Sequence, residues 1–81
     1  NEVVQAGLDR DPKSYLQEII QEKMRLTPNY KILDERGPDH RRVFKAGVFF
    51  GEKLIAEGEG LSKQEAEVAS ATNALKIIEK S

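Results

Sequence analysis

A chain of 81 residues with 13 basic and 14 acidic side chains is long enough for one small domain and too short for two. Its formal net charge of −1 argues against a protein that coats nucleic acid through bulk positive charge. The chain has no cysteine, one histidine and no apolar run near the roughly 18 residues of a membrane span, so we expect a soluble, cytoplasmic protein without a disulfide framework, a metal cluster or a membrane partner.

The first helix is predicted to begin at Asp11 and Pro12. Asp is a favoured N-cap, and Pro at the first helical position gives up an N–H that would have had no partner. An apolar stripe follows at helical spacing, formed by Leu16, Ile19 and Ile20 with Met24 at its margin. We expect the helix to end at Thr27 and Pro28. Residues 1 to 10 show no sustained period, and we interpret them as a linker or tail from an upstream domain.

Three strands are predicted after this helix. The first contains Tyr30 and Ile32 and ends before a loop signal at Gly37. The second alternates, which places Phe44, Ala46, Val48 and Phe50 on one face. A two-residue turn at Gly51 and Glu52 then leads into the third strand. The inward positions of that strand are predicted to be Leu54, Ala56, Gly58 and Gly60. Small residues there let a helix approach the sheet closely.

The last helix is predicted from Ser62 to about Glu79. Ser62 as N-cap and Glu65 three residues later form a capping box, and the positive helix end beside Lys63 attracts phosphate. The same pattern also occurs in purely structural helix caps. The inward residues are expected at spacings of three and four: Ala66, Ala69, Ser70, Asn73, Ala74, Ile77 and Ile78.

The element order αβββα predicts an α+β two-layer domain over residues 11 to 81, with a three-stranded antiparallel sheet and both helices packed on one face. Three separated motifs occur along it: DPKSYLQE at residues 11 to 18, GPDH at residues 37 to 40 and GEGLSKQEA at residues 58 to 66. In this order and spacing they resemble the double-stranded RNA-binding domain, most closely the C-terminal domain of bacterial-type ribonuclease III.

The resemblance implies binding to double-stranded RNA by shape, across two successive minor grooves and the phosphates of the major groove between them. The RNA-binding residues that it implies, with Arg41 added from the locally basic loop, are Ser14, Gln17, Glu18, Gln21, Gly37, Pro38, Asp39, His40, Arg41, Lys63 and Gln64. Hydroxyl, amide and carboxylate groups on the first helix can exchange hydrogen bonds with 2′-hydroxyl groups. An ordinary solvated helix face and an ordinary loop histidine are the alternative interpretations of the same residues.

The sequence departs from the family's basic pattern at the start of the last helix. Gln64 stands where a second Lys or Arg is usual, and Leu61 stands where a small or basic residue often precedes the cap. Each phosphate contact adds to affinity, so we expect weaker binding than for a fully basic member. Arg41 and Arg42 are candidates to compensate from the other loop.

No catalytic constellation is visible, and Glu57 and Glu59 are expected to face solvent on their strand. We therefore expect a binding domain that is not itself an enzyme and holds no cofactor. In a ribonuclease III-type endoribonuclease, the catalytic domain and its Mg²⁺ would lie upstream, and this domain would position the substrate. The isolated domain is expected to be a monomer, with the parent protein dimerising through its catalytic domain.

The alternative is a protein–protein interaction module of the same fold that binds RNA weakly or not at all. Gln64, the acidic balance and an exposed Phe49 favour this second interpretation.

Overall fold

The computed structural model describes residues 11 to 80, so the predicted linker over residues 1 to 10 lies outside the described residues. The elements in chain order are α1 (Pro12–Met24), β1 (Pro28–Arg36), a 3-10 turn (Asp39–Arg41), β2 (Val43–Phe50), β3 (Lys53–Gly60) and α2 (Lys63–Lys80). The strands form an antiparallel sheet in the order β1-β2-β3. Both helices pack on one face of it, which confirms the predicted αβββα fold. Neither of these two helices is long and apolar enough to cross a membrane.

Helix α1 begins where the sequence predicts and ends earlier. Pro12 takes the first helical position. The backbone N–H of Tyr15 closes the first turn by donating to the carbonyl oxygen of Asp11 at 3.0 Å. The Asp11 side chain makes no capping hydrogen bond, so the cap is confirmed in position only. At the other end Arg25 adopts the left-handed conformation, with φ 59° and ψ 32°. This conformation ends the helix at Met24, before the predicted stop at Thr27.

A bulge in β3 reverses the predicted orientation of Leu54. Val48 pairs with Ala56 while Phe49 pairs with Leu54, so Ile55 is an extra residue on β3. Because successive strand residues point to opposite faces, the extra residue moves Leu54 to the outer face of the sheet, away from the helices. Leu54 is 42% exposed there, and the prediction of an inward Leu54 is wrong. Ile55 packs against the core instead.

The remaining inward predictions on β2 and β3 describe the core well. The buried residues of β2 and β3 on the helix side are Ala46, Val48, Phe50, Ala56 and Gly58. Leu16 and Ile20 of α1 are fully buried against this layer. A Cβ atom on Gly58 would clash with the backbone nitrogen of Ser70, and one on Gly60 would lie 2.7 Å from the backbone nitrogen of Ala66. The first turns of α2 therefore lie against β3 with no room for a side chain.

Helix α2 begins with the predicted cap, with one change of partner. The Glu65 backbone N–H donates to Ser62 Oγ at 3.1 Å, while the Glu65 carboxylate accepts from the backbone N–H of Leu61.

The buried face of α2 differs from the prediction at two residues. Ala71 is fully buried although the spacing does not predict it, and Ile77, predicted inward, is 47% exposed. We attribute both differences to α1. Helix α2 packs against α1 as well as against the sheet, so the buried face of α2 changes direction along the helix.

Lys13, Tyr30 and Glu67 join α1, β1 and α2. The Lys13 ammonium lies 2.6 Å from Glu67 Oε1 and 4.9 Å from the centre of the Tyr30 ring. The buried Tyr30 hydroxyl has no hydrogen-bond partner within the part of the chain that the structure describes. Burial raises the pKa of Tyr30 to about 12, and the carboxylates of Asp11 and Glu67 add to the effect.

We expect Tyr30→Phe to leave the free energy of unfolding at neutral pH unchanged or slightly higher, because the change removes a buried hydroxyl without a partner. Because the pKa of Tyr30 is raised to about 12 in the folded domain, folding favours the neutral phenol over the phenolate. The resulting stability is fully present below about pH 10 and is lost as the pH rises towards about 12. The unsubstituted domain should therefore lose more stability than Tyr30→Phe across that range. Urea unfolding at both ends of the range measures the difference, and equal losses would contradict the burial of the phenol.

Candidate nucleic-acid interface

Four polar side chains of α1 line one shallow depression on the outer side of the helix. They are Ser14, Gln17, Glu18 and Gln21, all of them exposed, and we call this group the helix surface. The helix presents them to solvent because Leu16 and Ile20 hold its opposite side in the core. Gln21 Nε2 donates a hydrogen bond of 2.6 Å to Thr27 Oγ1, which ties the end of the depression to the segment after the helix.

The loop between β1 and β2 has a tight backbone that requires glycine at its start. Gly37 has a φ of +100°, and a Cβ atom on it would clash with the carbonyl oxygen of Arg41. Pro38 leads into the 3-10 turn, which the Arg41 N–H closes by donating to the Pro38 carbonyl oxygen at 2.9 Å. His40 is exposed on this turn. Asp39 begins the turn, and its side chain lies outside the described part of the chain.

Two of the three arginines around this loop form ion pairs with carboxylates. Arg36 contacts two carboxylates on β1 and β3, each at 3.2 Å, and Arg42 Nη1 lies 3.2 Å from Glu35 Oε1. Arg41 is exposed and forms no ion pair with a carboxylate that the structure describes. Arg41 is therefore the arginine of this predicted basic loop that has no described carboxylate partner.

Lys63 and Gln64 are exposed on the first turn of α2, directly after the cap. Over residues 11 to 80, Lys63 takes part in no ion pair with a described side chain. The positive end of the helix dipole lies beside its ammonium group, so the two act together on an approaching anion. Gln64 lines a separate depression with Ser62 and Glu65.

The register of the sheet brings the loop and the start of α2 to the same end of the domain. Arg36 pairs with Val43, and Phe44 pairs with Gly60, so the last residues of β1 and β3 flank the beginning of β2. Between the loop and the start of α2 lies a groove of about 580 Å³, which we call the end groove. It is lined by His40, Arg41, Arg42, Val43 and Leu61. The helix surface lies on a different element and forms its own depression.

Sequence reasoning did not predict that Val43 and Leu61 contribute to this end of the domain. An apolar residue before the N-cap usually packs against the fourth residue of the helix. Here that residue is Ala66, which is fully buried and short, and Leu61 is 70% exposed. In the sequence, Leu61 before the cap together with the short Ala66 was the available signal that Leu61 would stay exposed.

The carboxylates of the sheet are arranged as solvent-facing ion pairs. Glu57 Oε1 lies 3.2 Å from Lys45 Nζ, and Glu59 Oε2 lies 3.2 Å from Arg36 Nη2, and both acids are exposed as predicted. Among the described residues, no three His, Asp or Glu side chains come together in a group that could hold a metal ion.

A family model described as the double-stranded RNA binding motif matches residues 12 to 78. The chain belongs to this family. Curated relatives of this double-stranded RNA-binding domain include Ribonuclease 3 of Borreliella afzelii, 50% identical over 70 residues, and Ribonuclease 3 of Desulforamulus reducens, 46% identical over 79 residues. The matches cover 86% and 98% of this chain but only 29% and 32% of the two relatives. The domain therefore spans about a third of their length.

Solved structures agree with this assignment. The structure of Arabidopsis HYL1 matches with a TM-score of 0.72 and 30% identity, covering 86% of this chain and 99% of that one. Dicer from Pichia stipitis matches with a TM-score of 0.66 and 26% identity, covering 82% of this chain and 32% of that one. The domain thus shares the fold of the HYL1 structure and of the matched third of Dicer.

Proposed function

We propose that this domain binds double-stranded RNA by its A-form shape, through two successive minor grooves and the phosphates of the major groove between them. Membership of the family supports binding to double-stranded RNA in general. The observation that carries the finer proposal is the helix surface, four exposed polar groups in one depression on an element separate from the loop and from Lys63. Separated contacts suit a ligand with successive grooves.

The chemistry of the helix surface favours RNA over DNA. A glutamine amide both donates and accepts hydrogen bonds, and a serine hydroxyl does the same, so Gln17 and Ser14 match a 2′-hydroxyl in either role. The wide, shallow minor groove of A-form RNA displays these hydroxyls, which DNA lacks. We place the helix surface in the first minor groove for this reason.

The other two contacts follow from charge and shape. The loop with Gly37, Pro38, Asp39 and His40 enters the second minor groove, where a tight turn can project without a large side chain. Lys63 and the start of α2 contact phosphates across the intervening major groove, because an exposed ammonium beside a helix N-terminus attracts anions. Gln64 contributes at most a neutral hydrogen bond beside it.

We further propose that the domain positions RNA for the catalytic domain of a ribonuclease III-type endoribonuclease. Two relatives named Ribonuclease 3 support this, since the chain matches 29% and 32% of their length. In such a protein the cutting chemistry and its Mg²⁺ belong to the remaining two thirds. This domain would supply affinity and placement.

The second candidate function is protein–protein interaction. The observation that favours it lies on the outer face of the sheet, where Leu33 and Leu54 are 41% and 42% exposed and both approach Gly47. Phe49 lies on the same face, but it is half-buried and not exposed as predicted, with the Lys31 ammonium 5.1 Å from its ring centre. None of the three proposed RNA contacts lies on this face.

A competition titration tests the first proposal against the second. A labelled RNA duplex of about 20 base pairs, longer than the roughly 16 that such a domain spans, is displaced with unlabelled RNA or with DNA of the same sequence. We expect RNA to compete at least about tenfold better than DNA at one salt concentration. Equal competition would contradict readout of 2′-hydroxyls, and no binding at low salt would favour the interaction module.

Gln17→Ala should weaken binding to the RNA duplex by roughly three- to tenfold, because it removes amide hydrogen bonds without touching the core. Glu22→Ala is the matched control, since Glu22 is exposed on the same helix outside the depression. The control should bind at least as tightly as the unsubstituted domain. Thermal melts of both variants should stay within a few degrees of it. Equal affinities for the two variants would remove the helix surface from the interface.

Lys63→Ala should weaken binding to all duplex sequences alike and reduce the slope of log affinity against log salt by about one phosphate contact. Gln64→Lys should have the opposite effect, because it adds an exposed cation next to Lys63. Titrations at several salt concentrations measure both slopes. A loss in Lys63→Ala that depends on base sequence would show that Lys63 reads bases instead of phosphates.

A further inference from the structure

The end groove has a composition that the fold itself does not require. Leu61 is 70% exposed, although its position before the N-cap is one where an apolar side chain usually packs on the helix. Val43, which is half-buried, also lines this groove. Two aliphatic residues therefore line a groove whose other lining residues are His40, Arg41 and Arg42.

The two arginines of the groove differ in their ion pairs. Arg42 contacts Glu35 at 3.2 Å, so it already has a carboxylate partner within the domain. Arg41 is exposed and makes no ion pair with any carboxylate described in the structure. An incoming anion can therefore bind Arg41 without breaking an ion pair that the structure describes.

We propose that the end groove holds the sugar–phosphate backbone of one RNA strand where it passes from the second minor groove to the major groove. Arg41 contacts a phosphate, and Leu61 and Val43 pack against the adjoining ribose. The inference rests on the proposed function. It assigns RNA contacts to Leu61 and Val43, which belong neither to the helix surface, nor to the loop contact, nor to the contact at Lys63.

Position and chemistry both support this occupant. The groove lies between the loop and the start of α2, at the end of the sheet where β1 and β3 finish. A strand that touches both the loop and Lys63 has to cross the space between them. A guanidinium binds phosphate oxygens in pairs, and a ribose offers C–H surface to aliphatic side chains. Arg41 also supplies the phosphate contact that Gln64 does not provide on α2.

The test compares salt-dependent titrations of four variants of the whole 81-residue chain on an RNA duplex of about 20 base pairs. Arg41→Gln should reduce the slope of log affinity against log salt by about one, and Arg41→Lys should restore most of it. Arg36→Gln is the matched control, because Arg36 already contacts Asp34 and Glu59, and its slope should change by less than half as much.

Leu61→Ser tests the apolar wall separately. We expect a loss of affinity of roughly three- to tenfold at every salt concentration with an unchanged slope, since a ribose contact involves no counterion. Because Leu61 is 70% exposed, its melting temperature should match that of the unsubstituted domain.

The outcomes separate this inference from the proposed function. If the unsubstituted domain binds RNA but Arg41→Gln and Arg36→Gln change the slope equally, the phosphate contact at Arg41 is overturned. If Leu61→Ser binds as tightly as the unsubstituted domain, the ribose contact is overturned. If the unsubstituted domain does not bind the duplex at all, the proposed function fails together with the inference.

Discussion

Replacing Gly58 with alanine is expected to lower the melting temperature by roughly 5 to 20 °C, the result of an overpacking cost of about 1 to 3 kcal/mol in a domain of this size. The added Cβ atom would lie 2.6 Å from Ala69 Cβ and would clash with the backbone nitrogen of Ser70. Backbone atoms cannot rotate away as a flexible side chain can, so α2 has to move off the sheet.

The movement of α2 should also reach the RNA. Lys63 begins the same helix, and a shift of about an ångström changes its spacing to the helix surface and the loop. RNA affinity should therefore fall together with stability in Gly58→Ala. Glu59→Val is the control, because Glu59 is exposed on the outer face and loses only a surface ion pair. A melting temperature of Gly58→Ala equal to that of the unsubstituted domain would contradict the close contact between α2 and β3.

The second large effect is expected from Gly37→Ala, which should reduce RNA affinity by about tenfold or more while the sheet and helices remain folded. A residue with a side chain at φ +100° costs about 1 to 3 kcal/mol of backbone strain. The new Cβ atom also clashes with the carbonyl oxygen of Arg41, so the loop has to open. His40 and Arg41 would then leave the positions that the proposed contacts need.

Gly51→Ala separates strain from binding. Gly51 also has a positive φ, +70°, but no atom lies within 4 Å of the position of an added Cβ. It forms the β2–β3 turn at the opposite end of the sheet from the loop. Gly51→Ala should therefore lose stability and keep its RNA affinity. Equal losses of affinity in the two variants, measured by titration at low salt, would contradict a specific role for the loop.

Local patterns predict those parts of the fold that local geometry determines. The alternation of β2 gives its buried face because its register with β3 is regular from Phe44 to Val48. The same rule fails for Leu54, because the extra residue Ile55 depends on pairing with β2 and leaves no trace in the periodicity of β3. The end of α1 differs for a similar reason, since a left-handed arginine at position 25 is not signalled by its residue type.

Part of the candidate site is likewise predictable from local sequence patterns, and part depends on how the strands pair. Helical periodicity is enough to place Ser14 and Gln17 together on the outer side of α1. The charge state of the loop is not predictable from its composition, because the ion pair between Arg36 and Glu59 joins residues 23 positions apart across the sheet. Three neighbouring arginines look equivalent in the sequence, and only the pairing of strands distinguishes Arg41 from the others.

The most direct test of a single RNA-binding face is a map of backbone amide chemical shifts on titration with an RNA duplex of about 20 base pairs. We expect the largest changes in three segments, residues 14 to 21, 37 to 43 and 61 to 64. Residues Gly47, Phe49 and Leu54 on the outer face of the sheet should change little. Changes centred on that outer face, with the three segments unaffected, would contradict the account.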